Sequence, residues 1–183
     1  MVIDIVIPYL RTDLYPRCVQ SIHDLTEPGS YQIFLVDDSQ GRMGPVKAYN
    51  MGLRNTYNDV VLMNDDIVVT ENWLTNMLLV EADVVLSLYH NETFYPNISC
   101  TLVKRPVLKR VGFLDERWYL GFGADNQWFG SIERAGFRIG VNRNNRIFHL
   151  HRASIQKVLN YRQIAEREQK MFLELADRKQ SQY

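Results

Sequence analysis

Cysteine is scarce in this sequence: Cys18 and Cys100 are the only two in 183 residues. Two thiols so far apart make neither a disulfide framework nor a zinc-ligand pattern, and a reducing, cytoplasmic setting is the expected one. Net charge is also missing, since 21 basic residues balance 21 acidic ones. That balance counts against a protein that tracks nucleic-acid phosphates, which is usually basic. No apolar run approaches the ~20 residues that span a bilayer. The opening Met1-Val2-Ile3-Asp4 lacks the basic leader and apolar stretch of a signal peptide. Without such a signal, the sequons Asn91-Glu92-Thr93 and Asn97-Ile98-Ser99 are read as chance. Internal repeats and low-complexity segments are absent as well.

What is present is a hydrophobic fraction of 46%, ample for one compact domain. A chain of this length buries roughly 70% of its unfolded surface. Short β-branched runs alternate with helical patterns. Residues 2–8 read as a strand stopped by proline, followed by a helix capped by Thr12 or Asp13 with Leu14, Cys18, Ile22 and Leu25 on one face. Further strands are expected at Ile33 to Val36, Val60 to Met63, Val84 to Leu88 and Ile147 to His151, with helices at Val46 to Leu53, Trp73 to Val80, Asp125 to Ala135 and from Ser154 onward. Strand and helix in alternation predict a largely parallel α/β sheet covered by helices. Ligands bind beyond the carboxyl ends of such strands. Those ends carry Pro8-Tyr9, Asp37-Asp38 and Asn64-Asp65-Asp66.

Carboxylates at a strand end can meet a hard divalent cation, which often binds through one or two carboxylates together with substrate phosphates. The same residues are good turn formers, so each pair alone is a weak signal. Two pairs at neighbouring strand ends are harder to assign to turns, because close like charges repel unless a ligand or metal joins them.

The order of these motifs resembles glycosyltransferase family 2, inverting nucleotide-sugar enzymes of the GT-A fold. The resemblance runs through Ile5-Val6-Ile7-Pro8, Val36-Asp37-Asp38-Ser39, Ala48-Tyr49-Asn50-Met51-Gly52 and Val61-Leu62-Met63-Asn64-Asp65-Asp66 with Trp73-Leu74. It continues through Val111-Gly112-Phe113-Leu114-Asp115-Glu116, Gly123-Ala124-Asp125-Asn126-Gln127-Trp128 and His149 ahead of Ser154. It implies a Rossmann-like α/β fold, with a mostly parallel central sheet flanked by helices and a C-terminal helix. The GT-A domain would cover 1–153, with a nucleotide-binding half at 1–90 and an acceptor and catalytic half at 91–153, and a helical extension at 154–183.

By position the resemblance also implies roles. Pro8 and Tyr9 would wall in the base of the nucleotide, Asp38 would hydrogen-bond it, and Asp65 would face the ribose beside a structural Asn64. Asp66 and His149 would hold Mn²⁺ or Mg²⁺, and Asp125 would be the general base of a hexosyltransferase-type reaction. The donor would be a UDP-sugar first, with GDP- and dTDP-sugars as alternatives. The acceptor hydroxyl could belong to a glycan, a lipid-linked sugar, a protein or a modified nucleobase.

Several readings stay open at this level. The family's glutamate before the base is Ala124 here, and its following aspartate is Gln127, which admits a non-catalytic nucleotide-sugar-binding module. The Gly121-to-Asn126 stretch admits a retaining GT-A enzyme. A nucleotidyltransferase would carry a glycine-rich phosphate loop after the first strand, and Pro8-Tyr9-Leu10-Arg11 is not one. Asp125 has a simpler alternative as the N-cap of a helix starting at Asn126. His151 competes with His149, since residues two apart on a strand share a face. Arg134, Arg138, Arg143, Arg146 and Arg152 suit either phosphate or a solvated face. Trp118, Tyr119, Phe122 and Trp128 suit a sugar platform or core packing. The C-terminal helix could pack on the core, recruit a partner or pair with a second copy as a homodimer.

Overall fold

The computed structural model describes residues 1–90, 96–121, 123–150 and 160–180, with backbone alone beyond 174. The elements run β1 (Ile3–Tyr9), α1 (Tyr15–Leu25), β2 (Tyr31–Asp37), α2 (Pro45–Leu53), β3 (Val60–Met63), β4 (Ile67–Val68) and α3 (Trp73–Leu78). They continue with β5 (Val84–Tyr89), β6 (Cys100–Val103), α4 (Arg105–Val111), α5 (Ala124–Arg134), β7 (Ile139–His149) and α6 (Tyr161–Gln180). The strands form one sheet in the order β2-β1-β3-β6-β5-β7-β4. β1 pairs in parallel with β2 and β3, and β5 with β7, while β6 runs antiparallel to both β3 and β5. Five of the seven strands therefore point the same way, and only β6 and β4 are reversed.

Period-two alternation sends the strands' side chains into two cores. Ile3, Ile5, Ile7, Val61 and Met63 meet Cys18 and Ile22 of α1 and Trp73 and Met77 of α3. Val6, Val60, Leu62 and Leu86 face the other way, against Tyr49 and Leu53 of α2, Val107 of α4 and Ile132 of α5. Gly52 lets α2 lie close on β1: a β-carbon there would stand 2.3 Å from Val6 Cγ1. Asn50, two residues earlier and also buried, donates to Leu114 O (2.8 Å) and accepts from Leu114 N (3.1 Å). The Asn-x-Gly element thus joins α2 to the 114–116 loop on one side and to the sheet on the other.

Some boundaries differ from expectation. The first helix begins at Tyr15 behind Leu14, without a side-chain cap. Asp13, expected as a cap along with Thr12, is instead ion-paired to Arg11. Pro16 sits in the first turn, where its missing N–H costs nothing. The strand expected from Ile147 is the end of the eleven-residue β7, which begins at Ile139. β4, β6 and α4 were not expected. His151, Arg152, Ser154, Ile155, Val158, Leu159 and Phe122 lie outside the described residues.

Both cysteines are buried free thiols, and burial pushes Cys18 up and Cys100 up to about 12. Asn97 of the second sequon is buried, and its side-chain oxygen accepts from Tyr89 Oη (3.0 Å) and Ser99 N (2.9 Å). A glycan has no room there. No described helix is long and apolar enough to cross a membrane.

Candidate active site

The carboxyl ends of β1, β2, β3 and β7 open onto one cavity of about 700 Å³. The eight residues to which the resemblance gave a site role line it: Pro8, Tyr9, Asp38, Asn64, Asp65, Asp66, Asp125 and His149. Tyr9, at the end of β1, packs against Tyr15 with ring centroids 4.3 Å apart and the planes tilted by 33°. Burial and the neighbouring Asp37 carboxylate raise the pKa of its phenol.

Asp38 is buried, and its carboxylate organises the loop after β2. One oxygen accepts from the amides of Arg42 and Met43, the other from Gly44, each at 2.9 Å. An ionised carboxylate offers about four acceptor positions, so one is left for a ligand. Gly44 is at φ 77°, which favours glycine. Asp65 does the same for the loop after β1, with Oδ2 accepting from the amides of Leu10 (3.1 Å) and Arg11 (3.2 Å). Asn64 accepts from Tyr49 Oη (2.6 Å) and donates to Ser99 Oγ (3.1 Å).

Asp66 and His149 meet because two-residue β4 pairs with the end of β7, placing Ile67 opposite His149. Asp66 Oδ1 and His149 Nε2 are 3.2 Å apart, with both side chains only 4% exposed. Two cis ligands of an octahedral cation with ~2.1 Å bonds stand about 3 Å apart, so this carboxylate and imidazole fit a divalent metal. Among the described residues no third His, Cys, Asp or Glu completes a protein-only cage. Such a metal would draw its remaining ligands from diphosphate and water, as Mg²⁺ commonly does.

Asp125 occupies the first turn of α5, whose N-cap is Gly123, so the alternative of Asp125 as N-cap does not hold. Its Oδ1 accepts from Asn126 N at 2.8 Å. Burial raises its pKa to about 6, against the lowering effect of backbone hydrogen bonds. The two departures from the family pattern have structural uses here. Ala124 is buried in the core, while Gln127 accepts from Trp118 Nε1 (2.7 Å) and donates to Asp115 Oδ2 (3.2 Å).

Trp118 and Trp128 are core residues and line no part of the cavity. Arg134, Arg138, Arg143 and Arg146 are exposed and stay outside it too. The cavity also takes in Tyr49 and Ser99, quoted in motifs but given no site role, and residues that no motif marked: Leu120, and Ala165, Gln169 and Phe172 of α6. The 165-169-172 spacing was a usable signal, because i, i+4 and i+7 share a helix face.

No protein-family model and no curated protein matches the chain. Solved structures do. The catalytic domain of Drosophila β1,4-galactosyltransferase 7, crystallised with xylobiose, aligns over 88% of this chain and 78% of its own, with TM-score 0.65 and 15% identity. The mannosyltransferase PcManGT from Pyrobaculum calidifontis, in complex with GDP-Man and Mn²⁺, aligns over 84% of this chain at TM-score 0.68 and 16% identity. S. aureus TarS 1–349 in complex with UDP aligns over 80% at TM-score 0.64 and 12% identity. The chain spans 59% of each of the latter two. Its fold is that of the GT-A glycosyltransferases: a seven-stranded, mostly parallel sheet flanked by helices, with a C-terminal helix.

Proposed function

We propose that this chain is a glycosyltransferase that moves a sugar from a nucleoside-diphosphate sugar, a UDP-sugar first, onto an acceptor hydroxyl with inversion. The observation that carries this reading is the convergence of the strand-end carboxylates, His149 and Asp125 on one cavity. Neighbours of the same fold hold UDP, or GDP-Man with Mn²⁺. Pro8 and Tyr9 wall in the base, the remaining acceptor position of Asp38 takes one of its N–H groups, and Asp65 meets the ribose. Asp66 and His149 hold Mn²⁺ or Mg²⁺, which when bound offsets the charge gathering on the departing diphosphate. Asp125 takes the proton of the acceptor hydroxyl as that oxygen attacks the anomeric carbon from the side opposite the diphosphate. The bond from the anomeric carbon to the diphosphate breaks, and its electron pair leaves on the phosphate oxygen. A carboxylate near pKa 6 is ionised at neutral pH yet more basic than a surface aspartate, which suits a general base.

The test is release of nucleoside diphosphate from a panel of UDP-, GDP- and dTDP-sugars, with Mn²⁺, with Mg²⁺ and with chelator. Metal-dependent release from at least one donor is expected. Failure of every donor to bind or turn over in the presence of metal would leave only the non-catalytic scaffold. A product of retained configuration would remove Asp125 as the inverting base.

A further inference from the structure

The reaction described above makes no use of Glu168, the most completely buried carboxylate among the described residues, at 0% exposed. It lies in the middle of α6, and a charge in that position is costly unless hydrogen bonds satisfy it. Both backbone amides of the Tyr119–Leu120 step point at one of its oxygens, Oε1, with Leu120 N at 2.8 Å. That step leads through Gly121 and Gly123, both at positive φ, into the first turn of α5 and Asp125.

Two further contacts tie the same segment down. Phe172, one turn beyond Glu168, packs where a β-carbon on Gly123 would stand 3.0 Å from Phe172 Cδ2. The hydroxyl of Tyr119 donates to Gly41 O, in the loop that Asp38 organises. α6 therefore presents two functional faces. Glu168 and Met171 turn into the protein, while Ala165, Gln169 and Phe172 line the cavity that holds Asp125.

Resting on the reading of Asp125 as base, we infer that Glu168 is a positioning residue for Asp125, docking α6 onto Tyr119, Leu120 and Gly123 so that the base is held at the cavity wall. One oxygen, Oε1, receives both amides, so holding Tyr119 and Leu120 asks for an acceptor oxygen at that place. A glutamine offers that oxygen, and an alanine does not. Asp38 binds three amides of the nucleotide-side loop directly, so that loop keeps its own anchor when Glu168 is replaced, and donor binding should change far less than kcat.

The experiment compares full-length wild type, E168Q and E168A. It measures amide hydrogen exchange at Tyr119 and Leu120, UDP binding with Mn²⁺ by calorimetry, and kcat and KM for UDP-sugar hydrolysis, water standing in for the acceptor. E168A is expected to exchange those two amides at least tenfold faster and to lose at least tenfold in kcat. Its donor KM and UDP Kd should stay within about threefold of wild type. E168Q should bring both amide protection and kcat back to within about twofold. Unchanged amide exchange or unchanged kcat in E168A would overturn the inference, as would an E168Q variant as impaired as E168A, or loss of UDP binding together with kcat. A wild type that neither binds UDP nor turns over any donor would instead remove the catalytic reading. Amide exchange would then decide separately whether Glu168 docks the segment.

Discussion

Asp125 keeps its proton more tightly than an ordinary aspartate because burial disfavours its charged form. Activity and stability should therefore move in opposite directions with pH. If Asp125 is the base proposed above, transfer needs it ionised, and kcat/KM should fall about tenfold per pH unit below about pH 6. For stability the folded state binds the proton up to about pH 6 and the unfolded chain only up to its ordinary value near 3.8. Between those values the folded state holds more protons, so this group's contribution to stability falls as pH rises, and its full cost is present above pH 6. Asp125→Asn removes the charge while keeping the shape. It should retain UDP binding, lose ~10²–10⁴-fold in transfer, and gain at most about 3 kcal/mol at pH 7.5 but almost nothing near pH 3.5. Urea unfolding at the two pH values checks this, and an equal gain at both would show that burial does not perturb the group. Asp65→Ala should act differently, by releasing the Leu10 and Arg11 amides. A stability loss of about 1–3 kcal/mol at neutral pH is expected from the two unmet donors, together with a raised donor KM.

Between elements, the contact of α2 with β1 gives a prediction whose sign runs against helix propensity. Replacing a helical glycine by alanine ordinarily stabilises by roughly 1 kcal/mol. At Gly52 the new methyl would stand 2.3 Å from Val6 Cγ1 in a fully packed core, and overpacking of that kind typically costs ~1–3 kcal/mol. Gly52→Ala should therefore lower the unfolding midpoint, and Val6→Ala in the same chain should recover part of the loss. Additive effects in that double-mutant cycle would mean the two positions do not touch. This element shows how local pattern and packing divide the work. β3 was legible to the residue, and α2 nearly so, because a β-branched run and a Gly-Pro start are local signals. α4 was not, since Arg105-Pro106 reads as loop until Pro106 is seen in the first turn of a helix. Two-residue β4 has no period at all and exists only because β7 reaches it. That pairing brings Asp66 and His149 together, so His149 could be named as a candidate from motif order, but its 3.2 Å approach to Asp66 could not be read there. Glu168 was invisible for a related reason: nothing local distinguishes a buried helical glutamate from a solvated one.

At the scale of the whole molecule, the five co-directed strands bring residues more than a hundred positions apart to one edge, and the cavity there is lined by β1, β7, α2, α5, α6 and the residues that follow β2 and β3. A ligand that fills it would meet residues from both ends of the chain, from Pro8 to Phe172, so binding should stabilise the domain as a unit and not one loop. The expected gain follows mass action, at about 2.7 kcal/mol when the ligand stands at 100 times its Kd. For a domain of this size that is a rise of roughly 5–10 °C in Tm. On the proposed reading the gain should need both components, because among the described residues Asp66 and His149 would offer only two ligands and leave the others to the diphosphate. Thermal unfolding with UDP alone or Mn²⁺ alone should shift Tm little, UDP with Mn²⁺ should give the full rise, and chelator should reverse it. Asp66→Ala and His149→Ala should each abolish the joint effect while leaving the unliganded fold cooperative. A full rise with UDP in the presence of chelator would show that the nucleotide binds without the cation, and would leave the Asp66–His149 contact with a structural role alone.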